Sequence, residues 1–282
     1  MTLRTHAILR CLALAGMAVL FSSCVTVPVG PVRGAAKSEK NVVYTPPSWP
    51  KPVQADIYLP KGDGPAPAVL LLHGGGWRGS GSRWQMNAIA GQLVKRGYVV
   101  MNATYRGIPG DQFPAPLDDV REALHWMKAN AARYRIDPDR IATFGYSAGG
   151  NLASLVALYN KPGNPTVKAI VAGGTPFDFT LYPGGDLIPT YLGGTQREIP
   201  DRFREASPLY HVTRKSPPLF IYHGTKDPLV RPEHVLHMDD AYTRAGAEIQ
   251  IHWLHDHGHV GAFIYSGPVV EQAIDFLDRK LK

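Results

Sequence analysis

The residues best suited to chemistry lie at positions 145–149, which read Gly-Tyr-Ser-Ala-Gly. An apolar run precedes them and a helical pattern follows, so Ser147 is predicted to lie in a tight turn between a strand and a helix. Gly145 and Gly149 lack a Cβ atom, which lets strand and helix approach closely. The helix N-terminus then favours negative charge beside Ser147. The pattern predicts a nucleophilic serine; the alternative is an ordinary serine in a glycine-rich turn.

A serine nucleophile also needs hydrogen-bond donors for the oxyanion that forms when it attacks a carbonyl group. Residues 74–76 are three glycines at the end of the apolar run 68–73, which predicts a strand buried on both faces. Backbone N–H groups in a glycine run can donate because no side chains crowd the approach, and Ala148 supplies another N–H group. We expect His73 to orient this loop rather than to act as a base.

The acid that would orient a catalytic histidine has two candidates. Asp227 follows the predicted strand 218–223 by a short loop, at the edge of the sheet where ligands bind in α/β proteins. Asp178 follows the preceding strand and is the rival. We favour Asp227.

The base is expected in the segment 255–259, which reads His-Asp-His-Gly-His. His259 follows a glycine in the loop after the last strand and is the preferred base, with His257 as the alternative. The crowding of histidine and aspartate also raises the question of a metal site. Partner ligands with convincing spacing are not found elsewhere in the sequence, so neither a metal nor another cofactor is expected.

Strand and helix patterns alternate along the chain, which indicates an α/β fold with a mostly parallel central sheet flanked by helices. Strand 53–60 ends in proline and is predicted to lie at an edge of the sheet. The segment 176–208, rich in Gly, Pro, Tyr and Phe, is predicted to be a short cap over the site. The whole domain is expected to span residues 43–282. Further strands are predicted at 98–104, 141–144, 167–173 and 249–254, and helices near 84–96, 117–131, 152–159, 232–245 and 270–281.

The first 23 residues are predicted to be a signal peptide. Arg4 and Arg10 lie in a basic n-region, and the apolar stretch 11–21 is too short to span a bilayer. This segment predicts export of the protein.

Small residues before Cys24 resemble a bacterial lipoprotein cleavage site, so Cys24 is predicted to become the lipidated first residue and to anchor the protein in a membrane. The alternative is plain secretion with an incidental cysteine. Val25 is not the aspartate associated with inner-membrane retention, which favours the outer membrane, facing the periplasm or the cell surface. Residues 24–42 are then expected to form a tether.

Composition and charge exclude other classes of protein. The chain has 282 residues, is 44% hydrophobic and carries a formal charge of +7, which becomes +5 without the leader. Its basic residues are spread out and form no run with interleaved aromatics, so nucleic acid is not an expected partner. The two cysteines, Cys11 and Cys24, lie outside the globular part, which excludes a disulfide framework and a cysteine zinc site.

Several motifs resemble those of one superfamily. The chain is similar to the hormone-sensitive-lipase and BD-FAE (bacterial feruloyl-esterase-like) branches of the α/β-hydrolases, over about residues 55–278. The order Ser147, Asp227, His259 is also that of this superfamily. The motifs that carry the resemblance are residues 73–77, 102–106 with 113–115, 145–149, 206–209 and 223–227.

The resemblance implies an α/β-hydrolase fold and names the oxyanion donors. In such relatives the second and third glycines of the H-G-G-G stretch donate, which implies Gly75 and Gly76 here, together with Ala148. It also implies a serine carboxylesterase that hydrolyses small-molecule esters through an acyl-enzyme, and relatives include acetyl- and feruloyl-esterases of carbohydrates. The short cap indicates small acyl groups. The alternatives are a prolyl-oligopeptidase-like serine peptidase and a non-catalytic binding lipoprotein.

Overall fold

A single β-sheet forms the centre of the molecule. The structure, a computed structural model, describes residues 32–79, 82–159, 163, 165–182 and 184–282. Within these residues eight strands form one sheet in the order β1-β2-β4-β3-β5-β6-β7-β8. The strands are β1 Lys37–Val43, β2 Gln54–Leu59, β3 Ala66–Leu72, β4 Val99–Ala103, β5 Ile136–Tyr146, β6 Ala169–Gly173, β7 Leu219–Gly224 and β8 Ile249–Leu254.

The sheet is mostly parallel, as predicted. Strands β3 to β8 run parallel to one another, whereas β2 pairs antiparallel with β4 and β1 pairs antiparallel with β2 at one side of the sheet. The continuous apolar sequences of β3, β4, β6 and β7 follow from this arrangement, because helices cover both faces of the sheet and bury alternate side chains on each. The carboxyl ends of the six parallel strands therefore meet along one edge.

The helices pack as two layers. Leu70 and Leu72 of β3 face a core that includes α2 and α4, whereas Val69 and Leu71 face a core that includes α1 and α9. The helices are α1 Asn87–Lys95, α2 Ala115–Ala129, α3 Ala131–Tyr134, α4 Ala148–Leu158, α5 Leu187–Leu192, α6 Pro200–Glu205, α7 Glu233–Ala245, α8 His259–Ile264 and α9 Gly267–Leu281, with 3-10 turns at Ser82–Met86, Phe179–Leu181 and Pro208–His211. Among the described residues, none of these helices is both long and apolar enough to cross a membrane.

The edge of the sheet differs from the prediction. Residues 24–42 were expected to form a tether, but the strand β1 pairs antiparallel with β2, with Lys37 opposite Leu59. Strand β1, not β2, is therefore the edge strand. Most of its side chains are exposed, so the sequence carries no apolar period there, and backbone pairing with β2 provides the order instead.

The segment 176–208 lies between β6 and β7 and contains α5, α6 and a 3-10 turn. It is held against the loop after β3 by aromatic contacts. Trp77 of that loop stacks on Tyr191 of α5 with ring centroids 4.4 Å apart, and Phe179 meets Trp77 edge-on at 5.3 Å. The insertion thus packs beside the glycine run.

Close contact between β5, α4 and β3 depends on two glycines. A methyl group on Gly145 would lie 2.2 Å from the carbonyl oxygen of Gly149, and one on Gly149 would lie 2.3 Å from that of Leu72. Neither clash can be relieved by rotating a side chain, because both neighbours are backbone atoms. The two glycines of the sequence pattern are therefore required by packing.

We expect Gly149→Ala to destabilise the protein by about 2–3 kcal/mol, because β3 or α4 must shift to admit the methyl group. The matched control is Gly267→Ala in the first turn of α9, where the space around the new Cβ is open. That change is expected to alter the free energy of unfolding by less than about 0.5 kcal/mol or to stabilise slightly. Urea denaturation measures both. Equal midpoints for the two variants would contradict this account of the turn.

Candidate active site

Ser147 lies between the end of β5 and the start of α4. Its backbone adopts φ 54° and ψ −121°, in the left-handed half of φ that side-chain-bearing residues rarely occupy. The conformation is held by two hydrogen bonds: the Ser147 N–H donates to the Gly173 carbonyl over 2.8 Å, and the Asn151 N–H donates to the Ser147 carbonyl over 3.0 Å. The strained turn lifts the Ser147 side chain above the sheet edge, at the N-terminus of a helix.

Three predicted site residues form one chain of hydrogen bonds. The Ser147 Oγ lies 2.9 Å from Nε2 of His259, and Nδ1 of the same ring lies 2.6 Å from Oδ2 of Asp227. A carboxylate can only accept at neutral pH, so the proton of the imidazole is on Nδ1 and Nε2 is free to accept from the serine hydroxyl. The structure therefore brings together Ser147, His259 and Asp227 in hydrogen-bonding order.

Asp227 is buried, and both of its carboxylate oxygens accept hydrogen bonds. Its Oδ1 accepts hydrogen bonds from the N–H groups of Leu229 and Val230, both 2.9 Å long. Burial alone would raise the pKa of Asp227, but the hydrogen bond to His259 and the one from the Val230 N–H outweigh it and hold the pKa below its usual value. The carboxylate thus remains ionised beside the imidazole.

His259 is the first residue of α8, where the sequence predicted a loop. The rival histidine, His257, points elsewhere: its Nδ1 bonds the His255 carbonyl over 2.7 Å and its ring meets Tyr265 edge-on. The backbone of His257 packs on Gly224, where a methyl group would lie 2.2 Å from the His257 carbonyl oxygen. This contact fixes the loop so that the side chain of His259, not of His257, faces Ser147.

Tyr146 holds the helix that carries the imidazole. Its hydroxyl donates to the His259 carbonyl over 2.6 Å, and its ring packs at 4.8 Å from Phe263 and 5.3 Å from His259. Burial raises the pKa of Tyr146 well above its usual value, so the hydroxyl keeps its proton. Tyr146 was not among the site residues predicted from the sequence. The available signal was its place inside the G-x-S-x-G pattern, next to the nucleophile.

The glycine run lies directly against the serine. A methyl group on Gly74 would lie 3.4 Å from Cβ of Ser147, and positive φ values of 115° and 61° at Gly75 and Gly76 turn the loop past it. Nδ1 of His73 donates to the Gly74 carbonyl over 2.6 Å. His73 therefore bonds the backbone of the glycine run that follows it in the chain.

His73 is held neutral. It is fully buried, its ring stacks on Tyr105 at 4.5 Å, and burial lowers its pKa to about 4. The Tyr105 hydroxyl donates to the His73 carbonyl over 2.8 Å. These contacts fix both the ring and the backbone at the start of the glycine run.

Asp178, the rival acid, is committed to other partners. Its Oδ1 accepts from the N–H and hydroxyl of Thr180 over 2.9 and 2.6 Å, and its Oδ2 lies 3.5 Å from His237. Its role is to cap a 3-10 turn at the start of the inserted segment. Among the described residues, no group of three or more His, Cys, Asp or Glu side chains is arranged to hold a metal ion.

A cleft of about 270 Å³ opens beside Ser147. One wall is α8, with Val260, Phe263 and Ile264, and the other is the 3-10 turn with Trp84. The described residues of the inserted segment 176–208 do not line this cleft, although Leu187 reaches within 3.4 Å of a Cβ placed on Gly76. The expected cap therefore flanks the glycine run, while α8 forms the apolar wall that sequence analysis did not identify.

The predicted signal peptide and the predicted lipidation site, Cys24, lie outside the described residues.

Known proteins resemble the chain over most of the domain. LipM of Mycobacterium tuberculosis (strain ATCC 25618 / H37Rv), a probable carboxylic ester hydrolase, is 33% identical over 184 residues, covering 59% of this chain and 42% of LipM. The esterase LipQ of the same strain is 30% identical over 231 residues, covering 75% of this chain and 55% of LipQ. The chain thus spans about half the length of the curated relatives it matches.

A solved structure of a truncated form of a carbohydrate esterase from gut microbiota superposes with a TM-score of 0.82. It is 25% identical in sequence, and the match covers 89% of this chain and 99% of that one. The agreement extends over nearly the whole length of both chains, which confirms the predicted α/β-hydrolase fold.

The family model BD-FAE matches residues 55–241, which is more than half of the chain. The matched range begins in β2, ends in α7, and includes Ser147 and Asp227. The resemblance inferred from the motifs is therefore confirmed: the chain belongs to the BD-FAE family of α/β-hydrolases.

Proposed function

We propose that the protein hydrolyses carboxylic esters, with Ser147 as nucleophile and a covalent acyl-enzyme as intermediate. The observation that carries this proposal is the hydrogen-bond chain from the Ser147 hydroxyl through His259 to Asp227, 2.9 and 2.6 Å long. A hydroxyl is a weak nucleophile unless a base takes its proton as it attacks. The names of the relatives, a carboxylic ester hydrolase and esterases, support the same chemistry.

In the acylation step, Nε2 of His259 takes the hydroxyl proton while the Ser147 oxygen attacks the ester carbonyl carbon. Asp227 stabilises the imidazolium that forms, because its carboxylate is ionised and accepts from Nδ1. The imidazolium then gives its proton to the departing alkoxide as the C–O bond breaks. The alcohol leaves and the acyl group remains on Ser147.

We propose that the N–H groups of Gly75, Gly76 and Ala148 stabilise the oxyanion. The proximity of the glycine run to Ser147 supports this role, since a Cβ at Gly74 would already touch the serine Cβ at 3.4 Å. Ala148 is the first residue of α4, where an N–H group has no partner within the helix. Each such donor is worth about 3 kcal/mol of transition-state stabilisation.

Water completes the cycle. The imidazole of His259, neutral again, takes a proton from a water molecule that attacks the acyl-enzyme, and the resulting tetrahedral oxyanion uses the same N–H groups. Collapse releases the carboxylic acid and returns the proton to Ser147. The chain of residues thus serves both halves of the reaction without a cofactor entering any step.

The acyl group is proposed to be small. A cavity of about 150 Å³ holds a benzene ring, and the cleft beside Ser147 is about 270 Å³. Its apolar walls suit an acetyl group, a short aliphatic chain or a single aromatic acyl group such as feruloyl. The carbohydrate esterase with a similar fold supports polymer-derived alcohols as the other half of the substrate.

We also propose that the protein is exported and anchored through an acylated Cys24. The support is the basic, then apolar, leader followed by small residues before that cysteine. An anchored esterase would act on substrates outside the cytoplasm.

Hydrolysis of 4-nitrophenyl acetate tests the function, and His259→Ala tests the base. We expect His259→Ala to lower kcat by about 10³-fold, because the proton of Ser147 loses its acceptor. The matched control, His257→Ala, removes an imidazole two residues away and is expected to retain kcat within about twofold. A large loss of kcat in His257→Ala, with kcat nearly unchanged in His259→Ala, would show that His257 is the base. Faster turnover of a proline-containing peptide amide than of the ester would favour a peptidase.

The anchor is tested on the full-length chain expressed in a bacterium that exports it. The wild type is expected in the membrane fraction, with a mass increase on the peptide that begins at Cys24. Cys24→Ser is expected to abolish the mass increase and the membrane association. Equal distribution of both proteins in the soluble fraction would contradict the proposal.

A further inference from the structure

A second concave surface lies on the same edge of the sheet as Ser147. It is a groove of about 590 Å³, called the basic groove here, lined by residues 51–54, 78–79 and 104–109 with Arg83 and Asp111. The mechanism proposed above does not use it. Its walls are formed by the loop after the glycine run and by the chain that follows β4.

The strand register gives its distance from the serine. Leu72 of β3 pairs with Ala103 of β4 on one side and with Gly145 of β5 on the other, so these three strands end at the same level. Neighbouring strands lie about 4.8 Å apart. The end of β4, where the groove begins, is therefore about 10 Å from the end of β5, which Ser147 follows. A substrate of two or three sugar rings would span both.

Most charges in the groove are already paired. Arg106 contacts the buried carboxylate of Asp119 at 2.9 Å, and Arg83 contacts Asp56 at 3.1 Å. Lys51 contacts Asp111 at 2.8 Å. Each of these cations is thus neutralised by a carboxylate of the protein itself, and none is left over for a ligand.

Arg78 is the exception. It is exposed, and among the described residues its guanidinium has no carboxylate within ion-pair distance. The side chain folds back toward the active site: its Nη1 lies 3.5 Å from a Cβ placed on Gly76, one of the proposed oxyanion donors. The unpaired positive charge of the groove therefore lies beside the glycine run.

We propose that Arg78 determines specificity for esters that carry a carboxylate group, by binding that carboxylate at the entrance of the basic groove. The planar guanidinium presents paired N–H donors that match a carboxylate. The cleft beside Ser147 has apolar walls, so the two surfaces together select for a substrate with one apolar and one acidic end. This inference rests on the proposed function and names its substrate class.

The test compares charged and neutral esters that differ in one group. For a carboxylate on the alcohol side, the charged ester is 4-acetoxybenzoate and the neutral counterpart is its methyl ester. For a carboxylate on the acyl side, the charged ester is 4-nitrophenyl hydrogen succinate and the neutral counterpart is 4-nitrophenyl butyrate. The measured quantity is the ratio of kcat/KM for the charged ester to that for its neutral counterpart.

In Arg78→Ala this ratio is expected to fall about fivefold for at least one of the two pairs, mainly through KM, as is typical of an exposed ion pair. Salt at about 0.5 M is expected to lower the ratio of the wild type toward that of the variant. The matched control is Arg214→Ala. Arg214 is exposed and unpaired among the described residues, and it lies before β7, at the opposite edge of the sheet. The Arg214→Ala substitution removes the same charge and is expected to leave both ratios of kcat/KM unchanged.

Unchanged ratios for both pairs in Arg78→Ala would overturn the inference, as would an equal fall in Arg214→Ala, which would indicate a general effect of net charge. Either result would leave the proposed function intact, since neutral esters would still be hydrolysed through Ser147. Failure of the wild type on all four esters would instead remove the proposed function, and this inference with it.

Discussion

The hydrogen bond between Ser147 Oγ and His259 Nε2 joins two segments that are 112 residues apart in the chain. The two atoms come within 2.9 Å of each other because three parallel strands end at the same edge of the sheet. Ser147 follows β5, Asp227 follows β7 and His259 follows β8, with β6 between the first two. The parallel sheet aligns the carboxyl ends of these strands, so each residue needs only a short loop to reach the common site.

The position of the imidazole is fixed from both sides. Asp227 holds Nδ1, and the Tyr146 hydroxyl holds the carbonyl of the same residue, His259, at the start of α8. Because α8 also forms the apolar wall of the cleft, the helix that carries the proposed base also lines the proposed substrate site. Tyr146, next to Ser147 in sequence, thus connects the turn of the proposed nucleophile with His259 directly, independently of the serine hydroxyl itself.

Much of this arrangement could be predicted from sequence, because it rests on short-range constraints. The glycines flanking Ser147 are required because a Cβ at either position would lie within 2.3 Å of a backbone oxygen, and the apolar runs of β3 and β7 are required by burial on both faces. The sequence left the choice between His257 and His259 open. They are two residues apart in a segment whose conformation is set by packing on Gly224 and by the start of α8, and neither is a local property.

Two other features were hidden for related reasons. Strand β1 has a polar, exposed sequence, and it is ordered by pairing with β2 rather than by an apolar face of its own. The apolar wall of the cleft comes from α8 and Trp84, which are distant in the chain. Their side chains read as ordinary surface or core residues until the fold brings them to one site.

The central claim is that His259 activates Ser147. The most direct measurement is the rate at which a fluorophosphonate labels the protein, followed by peptide mass spectrometry. We expect a single phosphonyl adduct on Ser147, and labelling at least about 10²-fold slower in His259→Ala, since the reaction needs the same proton transfer as ester cleavage. An adduct on another residue, or equal labelling rates in both proteins, would contradict the claim.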